Sequence, residues 1–268
     1  MKIFAALFLF LLIMSCSNSW DCSDPNINFE CLQGNSVRFN IEDKQLPIVP
    51  ATIGDEELFV LLDSGAVTTI ISSSFLGETD KVQVSFNEFC LEDLCFGLNR
   101  GYAWDTLFSN TDPNGFGIQG VVGMGMLRYF VFDLEYGESA ALFKKGIRCE
   151  GYEMPLRYDS ENRPVVDVLI DGMPLENVLL DTGAVYCLVA NEELLEQYVR
   201  ENEIESVGCS INGCSNKFLS SVSEFCVFDV CESVEIKYPV FNAVGNSFFS
   251  KFHVQFDFVA DSMIFCDR

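Results

Sequence analysis

Two short stretches of this chain have the residue types for acid–base chemistry, because each ends an apolar run in a carboxylate that is followed by a hydroxyl and a glycine. Residues 60–67 read Val-Leu-Leu-Asp-Ser-Gly-Ala-Val, and residues 178–185 read Val-Leu-Leu-Asp-Thr-Gly-Ala-Val. A charge at the end of a core strand costs several kcal/mol unless it is paired. The doubled motif therefore predicts that Asp63 and Asp181 are partners in one site.

A pair of carboxyl groups is sufficient for hydrolysis by an activated water. Two carboxylates held about 3 Å apart cannot both ionise, so the pair shares one proton. The ionised member takes a proton from a bound water, the protonated member hydrogen-bonds the carbonyl that is attacked, and the roles then exchange. This chemistry needs no histidine, no metal and no cofactor, and we expect none of these at the site.

The motif belongs to a longer internal repeat. With Asp63 aligned on Asp181, Gly54 falls on Gly172, and residues 121–143 match residues 243–265 without a gap. A period near 120 residues is a domain rather than a solenoid unit. The sequence therefore predicts two homologous lobes, at residues 36–145 and 146–268.

Short runs rich in Val, Ile and Phe, broken by Gly, Asn and Asp, predict a mainly β protein. In the first lobe the predicted strands are Val37 to Ile41, Ile48 to Ile53, Leu58 to Leu62, Thr68 to Ser72, two arms around Cys90 and Cys95, Val121 to Val122, and Tyr129 to Tyr136. The second lobe repeats this plan. It adds one predicted helix from Glu192 to about Glu201, which Asn191 caps.

The N-terminus predicts export. Residues 1–15 carry one lysine and then an apolar run that is too short to span a bilayer, which is typical of a signal peptide. The run ends in Ile-Met-Ser-Cys, which resembles a bacterial lipobox and predicts that Cys16 is lipidated; the alternative is ordinary cleavage a few residues later. We expect an outer-membrane lipoprotein on the periplasmic or the surface face, with residues 16–35 as a polar tether.

The charge of the chain excludes two classes of partner. Lysine and arginine number 16 against 40 acidic residues, and the net charge is −24. Such a surface repels nucleic acid and anionic lipid headgroups.

The 12 cysteines of an exported chain indicate disulfides rather than a metal site, and a single histidine excludes His-rich zinc sets. Close spacing suggests the pairs Cys22–Cys31, Cys90–Cys95, Cys209–Cys214 and Cys226–Cys231. Cys149 and Cys266 each follow the last strand of a lobe, so a bond between them would bridge the lobes. If Cys16 carries lipid, Cys187 remains as a buried thiol.

The second lobe has an insertion that the first lobe lacks. About 18 additional residues precede Cys226, and they include an Asn-Gly hairpin signal inside the Cys209 to Cys214 pair. A hairpin on one lobe beside a repeated carboxylate predicts a single flap with its tip at Ile211, Asn212 and Gly213. The alternative is a surface hairpin with no part in the chemistry.

An apolar strand that ends in Asp-Ser/Thr-Gly-Ala, followed about 60 residues later by two aliphatic residues and a glycine, resembles the aspartic proteases of the pepsin and retropepsin type. The resemblance covers nearly everything after residue 36, as two retropepsin units fused in tandem, like those of bacterial retropepsin-like proteins. It implies an all-β, bilobal acid-protease (pepsin/retropepsin-like) fold. In that fold two homologous closed-barrel lobes hold the active site in the cleft between them.

The resemblance also implies roles for individual residues. Asp63 and Asp181 become the catalytic pair of an aspartic endopeptidase. The hydroxyls of Ser64 and Thr182 would hydrogen-bond backbone groups across the lobe interface. Tight turns beside the substrate, and packing behind those turns, would involve Gly65, Gly183, Val122, Gly123, Val244 and Gly245. The expected substrate is a polypeptide in extended conformation, and the chain is expected to act as a monomer because it carries both aspartates.

Other functions are less consistent with the sequence. The single histidine, His253, lies on an apolar run and is expected to be an ordinary strand residue, which disfavours a Ser-His-Asp or Cys-His enzyme. Gly120, Gly123 and Gly125 lack the full dinucleotide fingerprint. Carboxylate pairs for glycoside hydrolysis give no reason for the repeat. The remaining alternative is a catalytically inactive peptide-binding or scaffold lipoprotein of the same fold.

Overall fold

The computed structural model of the chain describes residues 36–40, 46–77, 83–92, 94–103, 117–136, 138–143, 148–190, 204–210, 213–238 and 241–267. The predicted signal peptide, the tether, Cys16, the Cys22–Cys31 pair and the helix at 192–201 lie outside these ranges. Strands dominate the described residues, so the prediction of a mainly β protein is confirmed. None of the described helices is long and apolar enough to cross a membrane.

The first lobe is built on a closed barrel of six strands. In order around the barrel these are β2 (Ile48–Ile53), β3 (Glu56–Leu62), β7 (Gly120–Val122), β4 (Ile70–Ile71), β6 (Leu94–Ala103) and β5 (Gln83–Leu91). The burial of β3 increases along its length, and its last three residues are all buried. Val60 and Leu62 pack in the main apolar core, and Leu61 packs on the other face of the strand in a smaller cluster with Val121. The strand leads directly to Asp63.

The second lobe repeats the barrel plan within an eight-stranded sheet. Its strands, in sheet order, are β11 (Arg157–Tyr158), β12 (Pro164–Ile170), β13 (Met173–Leu180), β18 (Ala243–Val244), β14 (Cys187–Leu188), β17 (Val230–Tyr238), β16 (Gly213–Val227) and β15 (Ile204–Ser210). An additional pairing of β12 with β16 joins the ends of the six strands that correspond to those of the first barrel. β11 and β15 are the two strands added to that ring.

A third sheet is shared by the two halves of the chain. It contains, in sheet order, β1 (Ser36–Asn40), β9 (Ser139–Phe143), β8 (Val131–Glu135), β19 (His253–Asp257), β20 (Ser262–Cys266) and β10 (Gly151–Pro155). The two halves meet where β8 pairs with β19, with Phe132 opposite Phe256. The first three strands precede the predicted boundary between the lobes and the last three follow it.

The apolar core runs through both halves of the molecule as one cluster. In the second half it is rich in phenylalanine: the Phe248 ring contacts the rings of Phe225, Phe249, Phe252 and Phe265. Full burial of a side chain of this size contributes about 1.5–3 kcal/mol. The shared sheet and the second barrel are therefore held together by one aromatic core.

Three predicted disulfides are confirmed: Cys90–Cys95, Cys226–Cys231 and Cys149–Cys266. The first two close hairpin turns, between β5 and β6 and between β16 and β17. The Cys149–Cys266 bond does not link the two barrels. It ties the segment before β10 to the end of β20, because these two strands pair with each other in the shared sheet.

Two short helices were not predicted. α1 (Met124–Leu127) lies between the predicted strands at Val121 to Val122 and at Tyr129 to Tyr136, and the second of these strands, β8, begins at Val131 after a turn. The equivalent helix in the second half is α2 (Asn246–Phe249). Each helix follows a glycine that has extended backbone conformation and lacks a side-chain cap. A helix of four residues gives no periodic pattern in the sequence.

Candidate active site

The two aspartates lie at equivalent points of the two halves. β3 ends at Leu62 and β13 ends at Leu180, so each aspartate is the first residue after a buried strand. The Asp63 amide donates to the Val122 carbonyl at 3.0 Å, and the Asp181 amide donates to the Val244 carbonyl at 2.9 Å. Hydrogen bonds to the neighbouring parallel strands, β7 and β18, therefore fix the backbone position of both aspartates.

The hydroxyls that follow the aspartates connect the two halves reciprocally. Ser64 Oγ donates to the Leu180 carbonyl at 2.7 Å, and Thr182 Oγ1 donates to the Leu62 carbonyl at 2.8 Å. Each hydroxyl also accepts the backbone amide of the other residue, at 3.0 and 3.1 Å. Ser64 and Thr182 are both fully buried. Four hydrogen bonds shielded from water thus hold the two aspartate loops in one relative position.

The glycines of the motifs allow the carboxyl groups to approach. A Cβ atom added to Gly65 would lie 2.5 Å from Cγ of Asp181, and one added to Gly183 would lie 2.7 Å from Oδ1 of Asp63. Real Cβ atoms do not come so close to other heavy atoms. Each loop therefore passes directly over the carboxyl group of the other half, and only glycine fits there.

Burial and mutual contact perturb both carboxyl groups. Burial raises the pKa of Asp63, while hydrogen bonds from Asp181, Gly65 and Ala66 and the charge of Arg163 oppose that rise. Burial, the Asp63 charge and the hydrogen bond with Asp63 together raise the pKa of Asp181 well above its usual range. Two carboxyl groups in contact share one proton, and these surroundings favour Asp181 as the protonated member.

Two further glycines pack behind the aspartate loops. A Cβ atom at Gly123 would lie 2.5 Å from the Thr68 carbonyl oxygen, and one at Gly245 would lie 2.8 Å from the Ala184 carbonyl oxygen. Val122 and Val244, which precede them, are fully buried. The structure thus brings both Asp-Ser/Thr-Gly turns and both backing segments together at one place, where the sequence predicted them.

Two functional candidates were missed by the sequence analysis. The phenol of Tyr136 donates to Asn246 Oδ1, and Asn246 Nδ2 donates to the Thr182 carbonyl at 2.8 Å. In the alignment of the two halves, the equivalents of Tyr136 and Asn246 are Phe258 and Met124, which are both buried and apolar. The departure of these two positions from the repeat was the signal that could have identified them.

Arg163 is a third residue that the sequence analysis missed. Among the residues that the structure describes, it is the one cation whose charge opposes the rise in the pKa of Asp63, and it therefore acts on the pair formed by Asp63 and Asp181, the dyad. Arg163 directly precedes β12 and pairs with Asp159 and Glu161 at 2.7 and 3.1 Å. Its Nε also donates to Asp159 at 2.8 Å. These contacts anchor the guanidinium on the second half of the molecule, while its charge favours the ionised form of Asp63 on the first half.

The hairpin predicted as a flap is present as β15 and β16. Cys209 lies opposite Cys214 in its register, and Gly213 is the first residue of β16; Ile211 and Asn212 lie outside the described residues. The base of the hairpin is next to β17, and β17 pairs with β14, the strand that follows the Asp181 loop. The hairpin therefore belongs to the same sheet as β13 and β14, the strands on either side of the Asp181 loop, and β15 is the edge strand of that sheet. The flap assignment itself stays a prediction.

Two clusters among the described residues have the residue types of a metal site. Two groups, Glu88 with Cys90 and Cys95, and Glu224 with Cys226 and Cys231, are compact enough to hold an ion. Their cysteines are disulfide-bonded, however, and a disulfide sulfur is not a thiolate ligand.

The only histidine and the free cysteine are both part of the packing. His253 lies on β19 and its Nε2 contacts the Asp133 carboxylate at 3.1 Å, as expected of a strand residue with a partner. Cys187 is a free, fully buried cysteine, as predicted. Burial raises the pKa of its thiol to about 11, so it stays protonated and unreactive.

Comparison with known proteins gives a family match in the second half of the chain. Residues 160–254 match the sequence model of the retroviral aspartyl protease family. This range contains Asp181, Thr182 and Gly183, and it ends after Gly245 and the α2 helix. A search of curated proteins finds no match to the chain.

Proposed function

We propose that this chain, which carries a retropepsin-like aspartic protease domain, is an aspartic endopeptidase that hydrolyses polypeptides with Asp63 and Asp181 as its catalytic pair. The observation that carries the proposal is the approach of the two carboxyl groups across the interface between the halves. Each lies against the glycine of the opposite motif, and the pKa values of both are raised. Such a pair has no structural purpose that an apolar pair would not serve better.

In the proposed mechanism Asp63 is the base and Asp181 is the acid. Asp63 takes a proton from a water held between the carboxyl groups, and the water oxygen attacks the peptide carbonyl carbon. Asp181 gives its proton to the carbonyl oxygen, which yields a neutral tetrahedral intermediate. Collapse of this intermediate breaks the C–N bond, with Asp63 returning its proton to the amine and Asp181 recovering one from the hydroxyl. No charged leaving group is released.

The proposed substrate is a polypeptide in extended conformation, the class that the match to a protease family supports. The two carboxyl groups lie between two β lobes, and the β15–β16 hairpin is at the edge of the second lobe's sheet. An extended peptide placed there can form backbone hydrogen bonds with the hairpin, which would act as a flap and exclude water. Its tip would be Ile211, Asn212 and Gly213.

We further propose that the enzyme works as an exported monomer. The disulfides at Cys90–Cys95, Cys149–Cys266 and Cys226–Cys231 are consistent with an oxidising compartment. Lipidation at Cys16 would attach the enzyme to the outer membrane. Mass spectrometry of the mature chain tests this, because a lipidated Cys16 adds the mass of the acyl chains whereas the Cys16→Ser variant carries none.

The proposal is tested by cleavage of an unbiased peptide library between about pH 3 and pH 7. We expect products from the wild-type chain, released from the membrane by Cys16→Ser, and none from the same chain with Asp181→Asn. Mass spectrometry of the products gives the cleaved bonds. If the wild type binds library members but cleaves none of them, the protein is instead an inactive peptide-binding member of this fold.

A further inference from the structure

A chain of hydrogen bonds reaches the Asp181 carboxyl group from the opposite half of the molecule. The Tyr136 phenol donates to Asn246 Oδ1, and Asn246 Nδ2 donates to the Thr182 carbonyl at 2.8 Å. The peptide unit that carries this carbonyl also contains the Gly183 amide, which donates to Asp181 Oδ1 at 2.9 Å. Every link points in the same direction, from the phenol to the carboxyl group.

The surroundings of Asn246 and Tyr136 maintain these hydrogen bonds. Asn246 is almost fully buried, and its backbone amide donates to the Ala184 carbonyl at 2.8 Å, which holds the residue against the Asp181 loop. Burial and the nearby Asp181 charge raise the pKa of Tyr136 well above its usual value, so the phenol keeps its proton. It therefore remains a donor at every pH at which a carboxyl pair would work.

This series of hydrogen bonds, the relay, supports Asp181 and has no equivalent at Asp63 among the described residues. The position equivalent to Asn246 is Met124, and the position equivalent to Tyr136 is Phe258. Both are buried in the apolar core. On the Asp63 side the Gly65 and Ala66 amides reach the carboxylate at 2.7 and 3.1 Å, but the peptide behind them has no such side-chain donor at the equivalent position. The two catalytic carboxyl groups are thus supported differently.

We propose that Tyr136 and Asn246 are positioning residues that support Asp181 as the acid of the pair. When Asp181 gives its proton to the substrate, it becomes an anion that accepts from the Gly183 amide. A donor on the Thr182 carbonyl polarises that peptide unit and strengthens the amide as a donor, an effect of about 10–30% per hydrogen bond. The relay therefore stabilises the carboxylate that forms in the transition state, and contributes to kcat rather than to binding of the peptide.

The proposal is tested with Tyr136→Phe and with the double variant Tyr136→Phe/Asn246→Met, which installs the apolar pair of the first half. The kinetic readout rests on the proposed function. In Tyr136→Phe we expect kcat to fall about three- to tenfold, with KM unchanged within about twofold. The alkaline limb of the rate profile should move to higher pH. The exposed Tyr152→Phe, which loses only a hydrogen bond to Asp229, is the control and should match the wild type.

The double variant separates positioning from packing. It removes the Asn246 amide, whose bond to the phenol is already lost in Tyr136→Phe, so the melting temperature should recover. The kcat should remain low, because the Thr182 carbonyl then lacks the Asn246 donor as well. Recovery of kcat together with the melting temperature would overturn the proposal, because the residues would then matter only for packing. Unchanged kcat in Tyr136→Phe would overturn it as well.

A second readout does not depend on proteolysis. The carboxyl carbon of Asp181 can be followed by NMR during a pH titration of uniformly Asp-labelled protein and assigned with Asp181→Asn. We expect its midpoint to rise by about 0.3–1 pH unit in both relay variants. If the wild type cleaves no peptide, the proposed function fails while this titration still decides the relay. An unchanged Asp181 midpoint in both variants would overturn the proposed role of Tyr136 and Asn246.

Discussion

The two catalytic candidates are alike in sequence and unlike in environment. Backbone amides favour the ionised form of both carboxyl groups, but Asp63 also has the charge of a guanidinium, that of Arg163, in its favour. Asp181 faces the Asp63 charge and is the more deeply buried of the two. The charge of Arg163 at Asp63, together with the burial of Asp181 beside the Asp63 charge, supports the proposed assignment of Asp63 as the base and Asp181 as the acid.

This burial predicts a pH-dependent stability difference between the wild type and Asp181→Asn. The pKa of Asp181 is raised on folding, so the folded state favours its protonated form. Below about pH 4 the carboxyl is protonated in both states and costs nothing; as the pH rises through the folded pKa, the folded protein must bury a charge. Each unit of pKa elevation corresponds to about 1.4 kcal/mol.

We therefore expect Asp181→Asn to melt above the wild type at pH 7, and the gap to close near pH 3. Thermal unfolding followed by circular dichroism across this range measures it. The exposed Asp55→Asn serves as the control and should show no gap that widens with pH. A wild type that gained stability relative to Asp181→Asn between pH 4 and pH 7 would contradict the raised pKa.

Sequence reasoning found the residues that are repeated and missed those that are not. The apolar runs, the aspartates and the glycines carry local signals, since a buried strand and a tight turn each restrict residue type. The hydrogen bond from Tyr136 to Asn246 joins residues 110 positions apart. Such contacts depend on how the halves pair, and no local pattern encodes them.

Among the elements, the strands and hairpin turns were predictable and the shared sheet was not. β10 follows the boundary between the lobes and pairs with the C-terminal β20. Its sequence alternates no more clearly than that of the other edge strands, and its partner is more than 100 residues away. The same pairing explains why Cys149–Cys266 fastens a connecting segment instead of joining the barrels.

The β15–β16 hairpin gives a prediction for the proposed flap. Its register places Cys209 opposite Cys214, next to the turn. A crosslink across so short a loop stiffens the tip and has limited effect on the unfolded chain. We expect Cys209→Ser/Cys214→Ser to reduce kcat/KM severalfold while changing the melting temperature by no more than a few degrees.

The matched control is Cys90→Ser/Cys95→Ser. This disulfide has the same spacing, and it closes the β5–β6 turn, which lies beside β2 near its turn to β3 and away from the dyad. Its removal should change the melting temperature by no more than a few degrees, as for the first pair, and should leave kcat/KM unchanged. Unchanged kinetics in the Cys209 and Cys214 variant would show that the hairpin takes no part in catalysis and would leave the dyad unaffected.

At the level of the whole molecule, one chain supplies both halves of the site. The reciprocal bonds of Ser64 and Thr182 and the β8–β19 pairing all lie within a single chain. We therefore expect activity per molecule to be independent of protein concentration. A mixture of the Asp63→Asn and Asp181→Asn variants should remain inactive, because no chain in it has both carboxyl groups.

Exchange of lobes between chains would give a different result. Lobes that paired between two molecules would assemble complete sites in such a mixture, and activity would return to about a quarter of the wild-type value for random pairing. A specific activity that fell on dilution would indicate the same exchange. Size-exclusion chromatography of the mixture at the assay concentration provides the accompanying measurement of mass.

The shared-proton site is tested most directly by kcat/KM for Asp63→Asn, Asp181→Asn and the double variant, measured on one cleaved peptide. The amide is nearly isosteric with the carboxyl group, so unfolding profiles should show that all three variants remain folded. We predict that each single variant loses at least about 10³-fold and that the double variant is no worse, because the two groups act as a unit. Near-wild-type turnover in either single variant would show that the two aspartates do not share the reaction.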